Sequence, residues 1–221
     1  MRAFDYVILD FDGTVADTSE GIFDSVRYAV RMGGLRQPDD TEIRSFIGPP
    51  LSDTFHRIYP GLNDGEVTDL VIHYRSVYSV TGIYKLRLYD GMETMLADLK
   101  KAGVKIAIGS FKPEIFLESI VKSKGLDKYF DVVAGGSTEY ATPGKEIIIE
   151  DAISRLGAVD RSRVLMVGDT RFDVIGAHKA GVACAAVLYG YGSPEEFEEN
   201  NAEFTVKDCA QLEKLIIGDL S

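Results

Sequence analysis

The sequence is poor in cysteine, short of positive charge and free of long apolar runs. Its two cysteines, Cys184 and Cys209, form no paired motif, which argues against a disulfide framework and for a reducing compartment. Lysine and arginine number 24 against 35 aspartates and glutamates, a net charge of −11. That deficit of cations argues against a nucleic-acid polymer or an anionic membrane surface as partner. It leaves a small phosphorylated ligand open, because a local basic pocket can outweigh the global balance. No run approaches the ~18 apolar residues of a membrane span. Asp5 and Asp10 interrupt what would be the apolar stretch of a secretion signal. A cytoplasmic protein is the expectation. His56, His73 and His178 are scattered and read as structural or surface residues. Internal repeats and low-complexity tracts are absent too.

What is present is an ordinary globular composition, 45% hydrophobic and 27% charged over 221 residues. Short apolar runs at 6–9, 105–108, 132–134, 164–167 and 183–188 read as buried parallel strands. Each is followed by small or turn-forming residues and then a helical pattern. In "GMETMLADLKKAG" the apolar positions Met92, Met95, Leu96 and Leu99 recur at helical spacing, and Gly103 stops the helix. Alternating strands and helices predict a doubly wound α/β sheet. Residues 15–90 break the alternation. Ile22, Val26, Ala29 and Val30 repeat with helical period, "EIRSFI", "LSDTFHRI" and "EVTDLVIHYRSVYSV" read as helical, and no clear buried strand interrupts them. A helical insert is expected, returning through "KLRLYDG".

In open α/β sheets ligands bind at the carboxyl ends of the strands. After the first strand come Asp10 and Asp12, placed i and i+2 and so expected to share a face of an extended chain. Two carboxylates that close repel unless a cation or a shared proton relieves them. Ser110 follows the second strand, Asp169 and Asp173 follow the fourth, and Lys145 opens a helix between them. Acids alone point to a metal. A hydroxyl and an ammonium beside them point to a phosphoryl group. Taken singly, Ser110 is an ordinary strand-end hydroxyl and Lys145 a solvated lysine, although a cation at a helix start opposes the dipole.

These residues resemble the motifs of the haloacid dehalogenase superfamily, most of whose members are phosphatases. "DFDGTVADT" is similar to the first motif, "IGS" to the second, the lysine of "GKEII" to the third and "VGDTRFDVIGA" to the fourth. "FIGPPL" and "VLYGYGS" further resemble the phosphoglycolate-phosphatase-like subgroup. The resemblance implies a Rossmann-like core of residues 1–14 and 91–221 and a helical cap domain of residues 15–90. It implies a Mg²⁺-dependent phosphomonoester phosphatase that works through an aspartyl-phosphate. Asp10 would be the nucleophile and Asp12 the general acid and base. Asp10, the Asp12 backbone carbonyl and Asp169 would hold Mg²⁺, with Asp173 supporting the metal or orienting Lys145. Ser110, the backbone at Phe111, and Lys145 would hold phosphate oxygens. Phe111 stands where relatives often carry Ser or Asn.

Some readings remain open at this point. The loop Gly48, Pro49, Pro50 is a turn that in a cap would approach the substrate, and Gly13, Gly82 and Gly91 would serve as hinges. Arg44, Arg57, Arg75, Lys85 and Arg87 are candidates to meet an anionic substrate. The rivals are a phosphomutase, a nucleotidase or sugar phosphatase, and a catalytically silent phosphoacceptor or interaction protein. The expected partner is a small phosphorylated metabolite, and the sequence does not choose between monomer and dimer.

Overall fold

The structure, a computed structural model, describes residues 2–137 and 144–218. Six strands form one parallel sheet: β1 (Tyr6–Leu9), β4 (Lys105–Pro113), β5 (Val132–Gly136), β6 (Val164–Gly168), β7 (Ala183–Val187) and β8 (Phe204–Val206). Their order is β5-β4-β1-β6-β7-β8. β1 is central, with Tyr6 opposite Lys105 on one side and Val164 on the other. Its residues are apolar on both faces, as a strand needs when helices cover both sides of the sheet. Val7 and Leu9 join one apolar cluster, which includes side chains of α5 (Met92–Lys101), α6 (Glu114–Ser123) and α10 (Cys209–Ile217). Ile8 joins the opposite cluster with α7 (Lys145–Leu156) and α8 (Arg171–Lys179). The doubly wound α/β sheet expected from the alternation is the observed fold.

Two strand readings change. The second expected strand does not stop at 108: β4 continues to Pro113, with a register shift against β5 between Ser110 and Pro113. β8 adds a short sixth strand that a three-residue segment was too brief to announce.

Between β1 and β4 lies the helical insert: α1 (Ser19–Met32), α2 (Asp40–Arg44), α3 (Leu51–Ile58) and α4 (Asp64–Tyr78). The stripe Ile22, Val26, Ala29 and Val30 is buried along α1. α2 and α4 each start in a capping box, Asp39 with Glu42 and Asn63 with Glu66, which satisfies otherwise orphaned backbone N–H groups. The insert is not wholly strandless. β2 (Ala16–Asp17) pairs antiparallel with β3 (Arg87–Leu88), so the outgoing and returning chains are stitched together at its foot. Among the described residues no helix is long and apolar enough to cross a membrane.

Gly82 is not at that crossing. It opens a 3₁₀ turn, Gly82–Tyr84, that lies against α1, and a Cβ on Gly21 would come within 2.1 Å of the Gly82 carbonyl oxygen. The glycine pair sets a close approach of backbones. Gly21→Ala should therefore lower stability by at least the ~1–3 kcal/mol typical of overpacking. Equilibrium urea unfolding measures this as a lower midpoint at unchanged slope.

Candidate active site

The site lies at the carboxyl edge of β1, β4 and β6. β1 ends at Leu9, but the Asp10 N–H still donates to the Val167 carbonyl at 2.8 Å, which fixes Asp10 at the sheet edge. Asp12 lies beyond the strand, in a turn where Gly13 takes φ +85°. The two acids therefore do not share the face of an extended chain, and each meets its own lysine. Asp10 Oδ1 is 3.0 Å from Lys145 Nζ, and Asp12 Oδ2 is 2.9 Å from Lys112 Nζ. Asp12 Oδ1 also accepts from the Thr18 hydroxyl at 2.6 Å.

Lys145 is the first residue of α7 and is buried. Its second partner is Asp173 Oδ1 at 2.7 Å. Asp173 is itself placed by a helix start: its Oδ2 accepts from the Thr170 N–H and hydroxyl at 3.1 and 2.9 Å, a capping box opening α8. Burial alone would lower the Lys145 pKa, but the charges of Asp10 and Asp173 outweigh it and raise it.

Asp169 follows β6 and is fully buried. Its Oδ1 accepts from the Thr14 hydroxyl at 3.0 Å and its Oδ2 from the Tyr191 N–H at 2.9 Å. Glycines surround it because nothing larger fits. A Cβ on Gly13 would sit 2.0 Å from Asp169 Oδ2, and one on Gly190 2.2 Å from Asp169 Cβ. Burial first, then the charges of Asp173 and Asp10, hold the Asp169 pKa well above the usual carboxylate range. Asp173 is raised by burial too, and Lys145 offsets part of that.

One oxygen from each of Asp10, Asp169 and Asp173 lies within 4.8 Å of the others. Asp10 Oδ1 and Asp173 Oδ1 meet the Lys145 ammonium but no aligned hydrogen-bond donor. An all-oxygen cluster with spare lone pairs and excess negative charge suits a hard divalent cation. The Asp12 side chain is not part of it.

Across from the acids, Ser110 is buried and its Oγ accepts from the Lys112 N–H at 3.4 Å. The Phe111 ring lies 5.3 Å from Lys145 Nζ and edge-on to Phe172. A cavity of about 90 Å³ opens between the core and the insert, lined by Asp10, Asp12, Ser110, Phe111, Lys112 and the 48–50 loop among others. The structure thus brings Gly48, Pro49 and Pro50 to the same cavity as the acids. Of the candidate cations, Arg75 reaches this cavity, and Arg44 and Arg57 line a neighbouring groove that shares Pro49 and Pro50. Lys85 is paired with Glu20 and Asp24.

Sequence reasoning missed Lys112, Thr18 and Tyr78. Lys112 Nζ reaches the Tyr78 hydroxyl at 2.5 Å, joining β4 to α4 of the insert. Reading β4 through to Pro113 would have placed Lys112 two residues from Ser110, on the same side of a strand.

A model of the family described as haloacid dehalogenase-like hydrolase matches residues 7–187. The chain belongs to that family. It is 32% identical to the 5'-nucleotidase of Pseudomonas aeruginosa over 210 residues, covering 95% of this chain and 94% of that protein. It is 32% identical to tyrosine-protein kinase PtkA of Mycobacterium tuberculosis, over 95% of this chain and 70% of that one. The crystal structure of a predicted phosphatase from Clostridium acetobutylicum superposes with a TM-score of 0.91 at 32% identity, covering 97% of this chain and 99% of the other. The chain is accordingly an enzyme of a hydrolase family.

The charge cluster carries a prediction. Lys145→Met leaves Asp10 and Asp173 without their ammonium, and removing one partner of a buried pair costs ~3–5 kcal/mol. Thermal unfolding of the variant in chelator should show that loss, and a millimolar divalent cation should restore part of it by neutralising the same acids.

Proposed function

We propose that the chain is a phosphomonoester phosphatase in which Asp10 becomes phosphorylated, with residues 15–90 as its cap domain and residues 1–14 and 91–221 as its core. The observation that supports this best is the placement of Asp10. It is buried at the end of the central strand, with Lys145 at 3.0 Å, two further acids beside it and a cavity lined by core and insert in front.

In the first step an Asp10 oxygen attacks phosphorus and the bond from phosphorus to the ester oxygen breaks. Asp12 gives its proton to the departing oxygen. In the second step water attacks the same phosphorus, Asp12 takes a proton from it, and the Asp10–phosphorus bond breaks to release inorganic phosphate. Splitting the displacement in two lowers each barrier. Thr18 and Lys112 hold the Asp12 carboxyl on the cavity side of the turn. Ser110, the backbone at Phe111, and Lys145 would receive phosphate oxygens by charge-assisted hydrogen bonds. Asp10, Asp169 and the Asp12 carbonyl would hold Mg²⁺, with Asp173 as support, and the ion would offset the charge of the incoming phosphate. The relatives carry nucleotidase, kinase and phosphatase names. Small phosphate esters are the substrate class that this site fits.

Turnover of para-nitrophenyl phosphate tests the reading. Activity should vanish in EDTA and return with Mg²⁺. Asp10→Asn should abolish it, and Asp12→Asn should lose ~10²–10⁴-fold. Acid quenching during turnover should trap phosphate on Asp10. Transfer of the phosphoryl group to a protein tyrosine instead of water, or full activity in Asp10→Asn, would remove the proposal.

A further inference from the structure

We propose that Tyr78 of the insert is a positioning residue for Asp12: through Lys112 it fixes how the proton donor of the core faces the departing oxygen. The proposal rests on the phosphatase reading of the site and goes beyond it by giving the insert a part in the proton transfer.

The contacts run in series from insert to acid. The Lys112 ammonium donates to the Tyr78 hydroxyl at 2.5 Å and meets Asp12 Oδ2 at 2.9 Å. The Thr18 hydroxyl donates to the other oxygen, Asp12 Oδ1, at 2.6 Å. Tyr78, Lys112, Asp12 and Thr18 are all buried, where such a network is stiffer than in water. An ammonium has three donors and no acceptor. While Lys112 stays on Oδ2, that oxygen is an acceptor, and the proton that Asp12 gives up sits on Oδ1. The Thr18 hydroxyl suits either state, because it can donate or accept. Lys112 thus sets which oxygen of Asp12 faces the ester.

Lys112 in turn needs an anchor, since a lysine stem has more rotamer freedom to lose on burial than most side chains. Tyr78, the last residue of α4, supplies it. Its ring stacks on Tyr74 at 5.1 Å and meets Phe116 edge-on at 6.0 Å. A Cβ on Gly82 would fall 2.7 Å from Tyr78 Cδ2. A ring enclosed in this way holds its hydroxyl in one place. Phe116 belongs to α6 of the core, so ring contact already packs the insert on the core. What the buried ammonium adds is direction.

The test is kcat/KM, with Mg²⁺ present, for phenyl phosphate and 2,4-dinitrophenyl phosphate. Phenolate is the far more basic leaving group and needs a proton as it departs, whereas dinitrophenolate departs without one. Misplacing the acid therefore penalises the first ester more. Tyr78→Phe should shift the ratio of the two values ~10-fold against phenyl phosphate, a part of the ~10²–10⁴-fold that a placed acid contributes, and Lys112→Met should shift it further in the same direction. In an Asp12→Asn background neither substitution should move the ratio, since nothing is left to position. A link that only stabilises the fold, or that only binds phosphate, lowers both esters by one factor. Wild-type hydrolysis of both esters with a ratio that the two variants leave unmoved overturns the proposal and spares the phosphatase reading. So does a shift that persists in full in Asp12→Asn. Either variant decides alone should the other fail to fold. A wild type that hydrolyses neither ester overturns both.

Discussion

The structure depends on a charge balance that is not closed. Four acids, Asp10, Asp12, Asp169 and Asp173, are buried at one sheet edge beside two buried lysines, Lys112 and Lys145. If every group were ionised, two negative charges would remain where water cannot screen them. Charge in a low-dielectric setting is expensive, and the raised pKa of Asp169 shows where the cost falls. A protein keeps such an arrangement when something outside the chain completes it. A hard divalent cation suits that cluster of oxygens, and the glycines around Asp169 leave no room for a side chain beside it.

Much of this was legible in the sequence because a parallel sheet turns linear order into spatial convergence. Asp10, Ser110 and Asp169 are far apart along the chain, but each lies at or near the carboxyl end of a strand, and the strands are neighbours in the order β4-β1-β6. Lys145 and Asp173 were legible for another reason. They open helices, and helix starts face the same edge. The stripe on α1 was readable from its period alone.

The illegible parts have physical causes. Lys112 was hidden because β4 runs past its apolar stretch, and polar residues beyond it look like a loop until the pairing with β5 is seen. Thr18 lies six residues past Asp12, and only a folded turn brings it back to that acid. The antiparallel pair of β2 and β3 has two residues a side, too few for any alternation to register. Gly82 looked like a hinge because glycine permits rotation; the close packing of its carbonyl on Gly21, and of its α-carbon on Tyr78 and Ser25, shows only in the fold. Tyr74 and Tyr78 carried a readable signal, an i, i+4 aromatic pair, but on sequence alone such a pair is ordinary helix core.

The loop after β7 joins the acid cluster to the root of the insert through a single residue. The Tyr191 N–H binds Asp169, and its hydroxyl binds Asp17 Oδ1 at 2.6 Å. The same Asp17 oxygen receives the N–H and hydroxyl of Ser19, the first residue of α1. One tyrosine therefore spans from the acid cluster to the root of the insert, with no soft segment between. Thermodynamic reciprocity then sets a condition on the pair of events at either end. Whatever free energy ion and phosphate binding at Asp169 contributes to one posture of the root, that posture returns to binding in equal measure. If the root has two postures, occupancy and posture share one equilibrium, and a substitution at the β2–β3 pair would change affinity at a site it never touches.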